Sequence, residues 1–442
     1  MKILNSFGYT SAGIFIGYFI HFISGIILAR SIGPEGVGVV QLAIFIPWLV
    51  LVLTSGGFRI ANINYICSKK ESVNNIIGYN LTVILIHSII IIPLYIFIIV
   101  PLLNNVYSEK IPLNILYFSS ILITFNLIYY YFQGIIIGLK KIKHFVFAEV
   151  IKSSVYIIWL ITILLLYRLN ISNVYLSYLA ATFFGAFFLL YKIRKYNYMF
   201  RPRFNKNKIL ELLKFGMKGQ FANIFNVMNY KLDIFIVAYF LSTDRLGIYA
   251  IAVSLTNILN FIPLSLINVL MPKAANDMQI KKYLPQVIRI VVFIMITISI
   301  TLIFFGKMII TYLYSTTFLD AYILLIILLP GSIFLGINHM ITSSLTGKGI
   351  PSVQSISAGI GVIITVLLDF ILIPKIGILG ASIATSTSYI SMAVVSIFFL
   401  NKYEHIHIHK IFIIEKQDFI KIGEICKQIL SKSKILKGLM KI

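Results

Sequence analysis

The run Asn226-Val227-Met228-Asn229-Tyr230-Lys231-Leu232-Asp233 sets two charges and two amides inside a largely apolar stretch. Ionised side chains are expensive in lipid, so an acid and a base there are candidates for transport chemistry. At 100° per residue, Asn226, Asn229 and Asp233 fall within an arc of roughly 60°, while Gln220 and Lys231 share another face. Asp233 and Lys231 therefore do not pair on their own helix. Each needs water or a partner elsewhere, which describes either a helix bordering a wet cavity or a buried ion pair between helices. In the cavity reading Lys231, Asn226 and Asn229 contact a cargo, and Asp233 takes part in ion coupling.

A second acid, Asp369, ends the stripe Ala358, Gly361, Thr365, Asp369 on an Ile- and Leu-rich helix. Lying about one turn from the outer end, it either reaches the interface or is a protonatable or cation-binding acid that couples an ion gradient to cavity opening. Arg59 follows Thr54-Ser55-Gly56-Gly57, residues able to interrupt a membrane helix. A guanidinium beside such a break can grip a diphosphate bidentately. At about 9 Å from the cytoplasmic end it is equally able to snorkel into the headgroups.

The remaining polar groups invite structural readings. Glu149 and Lys152, at i and i+3, are expected to neutralise each other. Gly13, Gly17, His21 and Gly25 recur at fours, a small-residue packing face in which His21 reads as an interhelical contact. His87 and His339 stand singly, and His405, His407 and His409 read as interfacial. Cys67 and Cys426 are expected to be unpaired thiols. No phosphate-binding glycine loop, nucleophilic triad or metal-ligand spacing is present, so the expectation is a protein that is not an enzyme and needs no cofactor.

The elements that must position these residues are membrane helices. Of 442 residues 59% are hydrophobic and only 12% charged, with a mean hydropathy of +0.95. No single soluble core hides that much apolar surface. A bilayer core about 30 Å thick takes roughly 20 apolar residues per crossing. About twelve stretches qualify, giving an all-α integral membrane fold with spans near 8–29, 38–65, 77–101, 113–138, 145–167, 175–193, 215–240, 247–271, 284–305, 320–344, 354–373 and 377–400. The first span follows Met1-Lys2 without a cleavage site and is expected to act as an uncleaved signal anchor.

The net charge of +24 does not point to nucleic acid, because the basic residues sit between spans. With a cytoplasmic N-terminus, 28 of the 38 fall in inner segments, six in outer ones and four within spans: Arg59, Lys152, Lys231 and Arg289. That bias places both termini inside. The basic connector divides the chain into an N-terminal six-helix lobe (1–200), a cytoplasmic linker (201–214), a C-terminal six-helix lobe (215–400) and a basic tail (401–442). In the tail, Ile420, Ile422, Ile425, Ile429 and Ile435 between lysines describe an amphipathic helix on the anionic inner leaflet.

Leu28 to Gly38 aligns with Val237 to Gly247 at an offset of 209 residues. Six spans separate the copies, so both face the same way and form a parallel repeat. These segments, with Asn229-Tyr230-Lys231-Leu232-Asp233, Phe261-Ile262-Pro263 through Val269-Leu270-Met271-Pro272-Lys273, and Ile371-Leu372-Ile373-Pro374-Lys375-Ile376-Gly377-Ile378-Leu379-Gly380-Ala381-Ser382-Ile383-Ala384-Thr385, resemble the polysaccharide flippases of the Wzx type. Those belong to the multidrug, oligosaccharidyl-lipid and polysaccharide exporter superfamily. The resemblance covers about residues 5–400 and implies a MATE-like pair of lobes around a cavity that opens alternately to either side. It further implies an undecaprenyl-diphosphate-linked oligosaccharide as cargo, the bacterial cytoplasmic membrane as location, and glycosyltransferases and a polymerase as partners. Where that family often has Asn before the Leu-Ile-Pro run, this chain has Asp369. The competing expectations are a multidrug or organic-cation exporter of the same superfamily, a membrane glycan polymerase or ligase, and a lipid II flippase with two further spans.

The charge bias yields a topology test. Reporter fusions within 201–214 and after 401 are expected to report a cytoplasmic location and fusions within 306–319 an external one; the opposite pattern at 201–214 would invert the orientation.

Overall fold

In the computed structural model the described residues are 2–107, 110–276, 280–406, 409–412, 415 and 418, and among them there is no strand. The helices are α1 (Lys2–Thr54), α2 (Phe58–Cys67), α3 (Val73–Leu94), α4 (Val100–Tyr107), α5 (Leu113–Gly138), α6 (Ile142–Leu166), α7 (Ile171–Lys195), α8 (Lys206–Phe240), α9 (Thr243–Asn276), α10 (Ile280–Leu313), α11 (Ala321–Gly347), α12 (Ser352–Ile376), α13 (Ile378–Glu404) and α14 (His409–Phe412). Among the described residues ten helical segments are long and apolar enough to cross a membrane. The first, Phe15–Thr54, bends at Gly33, whose φ of 67° and ψ of −174° are not helical, and so holds one span and the start of the next. Adding the more polar α8 recovers the expected twelve. Large apolar side chains stay outward on these helices, with Phe97, Leu165 and Phe304 at 77%, 78% and 77% exposure. Such surface is stable against lipid and unstable against water.

Several helices outrun their expected spans. The third continues through a π-helical turn (Tyr95–Ile99) after Pro93 to Tyr107, and α8 starts at Lys206 within the expected linker. Hydropathy marks only the lipid-facing part of a helix, whereas a cap marks its end. At Lys206 the cap is Asn205, whose side chain accepts from the Lys208 N–H at 3.1 Å. The connection after α10, expected at 306–319, shrinks to residues 314–320, which contain one 3-10 turn. The amphipathic stretch expected at Asp418–Lys441 lies outside the described residues beyond Asp418, as do His407 and Cys426.

The chain forms two compact units. The first comprises Met1–Ser254, Lys307–Leu324 and Thr365–Ala384. Within it α6 packs on α7 and α1, α5 on α2, α7, α1 and α3, and α2 on α8. Its core includes Phe58, Ile76, Leu127, Tyr131, Phe132 and Leu189. The small-residue face of the first span packs only in part: a Cβ on Gly13 would overlap Val146 of α6 at 1.9 Å, one on Gly17 would lie 3.6 Å from Ser153 Oγ, and one on Gly25 would meet nothing within 4 Å.

The two repeat segments meet in this unit. A Cβ on Gly38 would lie 1.9 Å from the Thr243 carbonyl oxygen, and one on Gly247 would lie 1.9 Å from the Pro34 carbonyl oxygen. Pro34 and Thr243, like Gly38 and Gly247, are 209 positions apart, so each copy presents the same contact to the other. Only glycine lets two helix backbones approach so closely. Basic side chains finish neighbouring helix ends. Lys110 Nζ donates to the Ala238 and Leu241 carbonyls at 2.5 and 3.0 Å, and Arg30 Nε to Leu313 O at 2.9 Å.

The second unit comprises Leu255–Gly306, Leu325–Ile364 and Thr385–Ile442. In it Gly331 N–H donates to Ser386 Oγ at 3.0 Å, and Lys348 pairs with Glu404 at 2.5 Å. Arg289, one of the basic residues expected inside a span, is buried against the tail: Nε donates to Asp418 Oδ2 at 2.6 Å, Nη2 to Oδ1 at 3.1 Å and Nη1 to Lys410 O at 2.6 Å. Burial pushes the Asp418 carboxyl up, but the Arg289 hydrogen bonds together with the Glu415 N–H and Gln286 outweigh it and leave it below the usual carboxylate range. The sign follows: this clasp stabilises above the ordinary carboxylate pKa and is lost as pH falls through the lowered one.

Because the obstructing atoms at Gly38 and Gly247 are backbone oxygens, Gly38→Ala and Gly247→Ala are each expected to cost at least about 1–3 kcal/mol. Gly25→Ala, which meets nothing within 4 Å, is expected to be nearly neutral. Thermal unfolding of the purified variants in detergent measures this, and equal losses at all three positions would contradict the close contact.

Candidate functional site

Two polar clusters lie inside the first unit. One forms where the second span breaks. Gly56 and Gly57 have φ of 59° and 71°, conformations that side-chain-bearing residues avoid, and they part α1 from α2. The break frees carbonyl groups, which side chains take up: Tyr131 Oη donates to Ser55 O at 2.8 Å and Gln220 Nε2 to Val52 O at 2.6 Å. Just beyond, the Arg59 guanidinium sits 5.2 Å over the Tyr130 ring, and its buried Nε has no hydrogen-bond partner. Asn223 Nδ2 reaches Tyr130 Oη at 3.4 Å, so α2, α5 and α8 all contribute.

Glu149 and Lys152 adjoin this cluster but do not neutralise each other as their spacing suggested; no ion pair joins them among the described residues. Glu149 accepts from Gln133 Nε2 at 3.2 Å, while Lys152 Nζ lies 5.2 Å over the Tyr129 ring and 5.1 Å over the Tyr178 ring. Aromatic faces attract the ammonium in a medium too dry for water to do so. His21 sits beside Tyr156, ring centroids 6.1 Å apart, in the interhelical role its spacing implied. His87 Nε2 is 2.7 Å from Thr54 Oγ1.

The other cluster is built on the later turns of α8, with α9 and α12. Asp233, 4% exposed, accepts from the Tyr249 hydroxyl through one oxygen and from the Ile234 N–H at 2.9 Å through the other. Lys231 is half-buried and interacts electrostatically with Asp233 without forming an ion pair. Asn229 is buried and accepts from Thr365 Oγ1 at 3.5 Å. One turn along α12, Asp369 is 0% exposed, and both of its carboxylate oxygens are buried without a hydrogen-bond partner. It interacts electrostatically with Asp233. The interfacial alternative for Asp369 therefore fails: the carboxylate points into protein, because the stripe Ala358, Gly361, Thr365 is the packed face of α12.

The structure thus brings Asn229, Lys231, Asp233 and Asp369 into one neighbourhood, with Asn226 half-buried on the same helix, and seats Arg59 in the other. Asn223, beside Tyr130, precedes Lys231 by eight residues, about 12 Å of helix. Arg59 and Lys231 accordingly serve separate positions along α8. Sequence reading missed Tyr249 and the tyrosines around Arg59 and Lys152. The run Tyr129-Tyr130-Tyr131 inside an apolar span was the available signal. Among the described residues no group of three acidic, histidine or cysteine side chains converges in a metal-binding arrangement.

Known proteins share both the sequence and the fold. A family described as polysaccharide biosynthesis protein matches residues 27–323. Two uncharacterized membrane proteins of Methanocaldococcus jannaschii are similar, one 26% identical over 63% of this chain, the other 22% identical over 87% of it. The match spans 58% of the first relative's length and 93% of the second's. Among solved structures the lipid II flippase MurJ, in an inward closed conformation, superposes with a TM-score of 0.77 at 18% identity, over 93% of this chain and 89% of that one. An inward-facing multidrug resistance MATE family transporter of the MOP superfamily gives 0.71 at 12% identity, over 88% and 94%. At such identities the likeness is one of fold.

Tyr249→Phe removes a donor from a buried carboxylate and is expected to cost about 1.5–3 kcal/mol. Asp369→Leu removes a buried carboxylate with no partner and is expected to leave stability unchanged or raised. Thermal unfolding of both in the same detergent distinguishes them, and a loss at Asp369→Leu matching that at Tyr249→Phe would mean that Asp369 is bonded in the resting protein.

Proposed function

We propose, from the premise that the chain belongs to the polysaccharide biosynthesis protein family, that it carries undecaprenyl-diphosphate-linked oligosaccharide repeat units across the bacterial cytoplasmic membrane. The coarser statement needs no proposal: it is a multi-pass membrane protein with the fold of the MOP-superfamily flippases and transporters. In the finer reading the lobes 1–200 and 215–400 open alternately to the two sides, with both termini in the cytoplasm.

Arg59 carries this reading. A guanidinium with a buried, unused N–H beside a broken span is an arrangement that a diphosphate would complete through charge-assisted hydrogen bonds. Lys231 would add a second positive charge farther along α8, and Asn226 and Asn229 would meet sugar hydroxyls. Asp233 and Asp369 support ion coupling. Two interacting carboxylates in a water-poor interior favour uptake of a proton or a cation, and releasing it changes the charge of the cluster. The short segment 314–320 after α10 leaves little external chain for a polymerase or ligase site. Glycosyltransferases on the inner side and a polymerase on the outer side are the partners that the reading implies.

Deleting the gene in its host is expected to accumulate undecaprenyl-diphosphate-linked oligosaccharide and to strip the surface glycan. Wild type restores export, whereas Arg59→Gln combined with Lys231→Gln, or Asp233→Asn alone, is expected to lower it at least about tenfold, the effect of one lost charged contact. Normal glycan with new sensitivity to cationic drugs would move the chain to the drug exporters.

A further inference from the structure

The segment between α7 and α8, residues 196–205, is a fixed shelf. Met199 N–H donates to Asn74 Oδ1 at 3.0 Å, Arg203 N–H to Gly78 O at 3.1 Å, and the Thr82 hydroxyl to Arg203 O at 2.8 Å. The Phe200 ring stacks on Phe132 of α5, centroids 5.8 Å apart and planes 9° apart. Held from beneath, the shelf presents a cavity of about 320 Å³ lined by Arg194, Tyr198, Met199, Phe200 and Arg201. Both arginines are exposed, and neither has a carboxylate partner among the described residues. Lys141 lies 5.1 Å over the ring of Tyr196, the first residue of the shelf.

We propose that this pocket binds the phosphate of an anionic glycerophospholipid from the leaflet that faces the cytoplasm. Two guanidinium forks with no internal acceptor match a phosphodiester, which can accept from both. Tyr198, Met199 and Phe200 supply an apolar wall for the glycerol and the first acyl carbons, which a free phosphate lacks. The site stands at the inner end of α7, where the positive-inside rule sets the lysines and arginines against an anionic surface. The occupant tethers the connector between the two halves to the bilayer. Its lining includes none of the side chains assigned to cargo.

The test is native mass spectrometry of the purified protein titrated with phosphatidylglycerol, phosphatidylcholine and inorganic phosphate. Wild type is expected to retain phosphatidylglycerol over phosphatidylcholine. Arg194→Gln with Arg201→Gln is expected to weaken phosphatidylglycerol binding about fivefold per arginine, roughly 25-fold together, and to leave phosphatidylcholine binding unchanged. Arg194→Lys with Arg201→Lys, which keeps the charges, is expected to retain most of the binding and guards against a folding defect in the glutamine variant. Equal phosphatidylglycerol binding by wild type and the glutamine variant overturns the proposal. Displacement of the lipid by inorganic phosphate at equal concentration also overturns it, because the site would then read phosphate alone.

Discussion

The bilayer interior offers no water, so every polar group placed there must be satisfied by another part of the chain. The first unit is organised around that requirement. Where α1 stops and α2 begins, Gln220 donates to the Val52 carbonyl and Tyr131 to that of Ser55, which the Phe58 N–H reaches only at 3.4 Å. Where α8 and α10 end, Lys110 and Arg30 reach across to their last carbonyls. Asn62 and Asn80 exchange hydrogen bonds at 3.2 and 3.1 Å between α2 and α3. Some buried polar atoms of this unit stay without a hydrogen-bond partner, among them Asn64 Oδ1, Tyr129 Oη, Tyr175 Oη and Gln220 Oε1. Arg59 Nε and both oxygens of Asp369 are buried and unused.

Arg59 on α2 and Asp369 on α12 both adjoin clusters to which α8 contributes. Its early turns carry Gln220 and Asn223 toward the helix break and Tyr130, and its later turns carry Asn229, Lys231 and Asp233 toward α9 and α12. Its 35 residues span about 52 Å, long enough for the capped N-terminal end to lie outside the hydrocarbon. The polar residues that weaken α8 as a membrane span make it the backbone of both clusters. That is also why it falls outside the ten segments recognised by hydropathy.

The sequence disclosed the architecture well because lipid imposes a coarse and severe filter. Runs of Ile, Leu and Phe mark spans, and lysines between them mark the inner face. The break at Ser55-Gly56-Gly57 was legible from residue chemistry, and the common face of Asn229 and Asp233 from helical period. What a single helix cannot reveal is its neighbour. Glu149 and Lys152 satisfied a local rule, yet Gln133 from α5 and tyrosines from α5 and α7 took the two charges. Tyr249 follows Asp233 by 16 residues across a turn, and nothing local marks it as the donor. For Asp369, sequence supplied depth along the membrane but not direction, and direction decides between interface and interior.

The reciprocal contact of Gly38 on Thr243 and Gly247 on Pro34 is self-complementary: each side is the other's copy. A surface of that kind needs no second protein to evolve with, since two separate six-span chains meeting about a twofold axis would make the same contact twice over. Joining the halves in one polypeptide lifts the demand that both copies stay identical. The glycines at the crossing are common to both copies while their neighbours differ, Glu35 and Gly36 in one copy standing at the positions of Asp244 and Arg245 in the other. Arg245 there reaches Asp320 at 2.9 Å. One half is thus free to specialise in holding the turn between α10 and α11 while the geometry of the joint, set by backbone alone, stays symmetric.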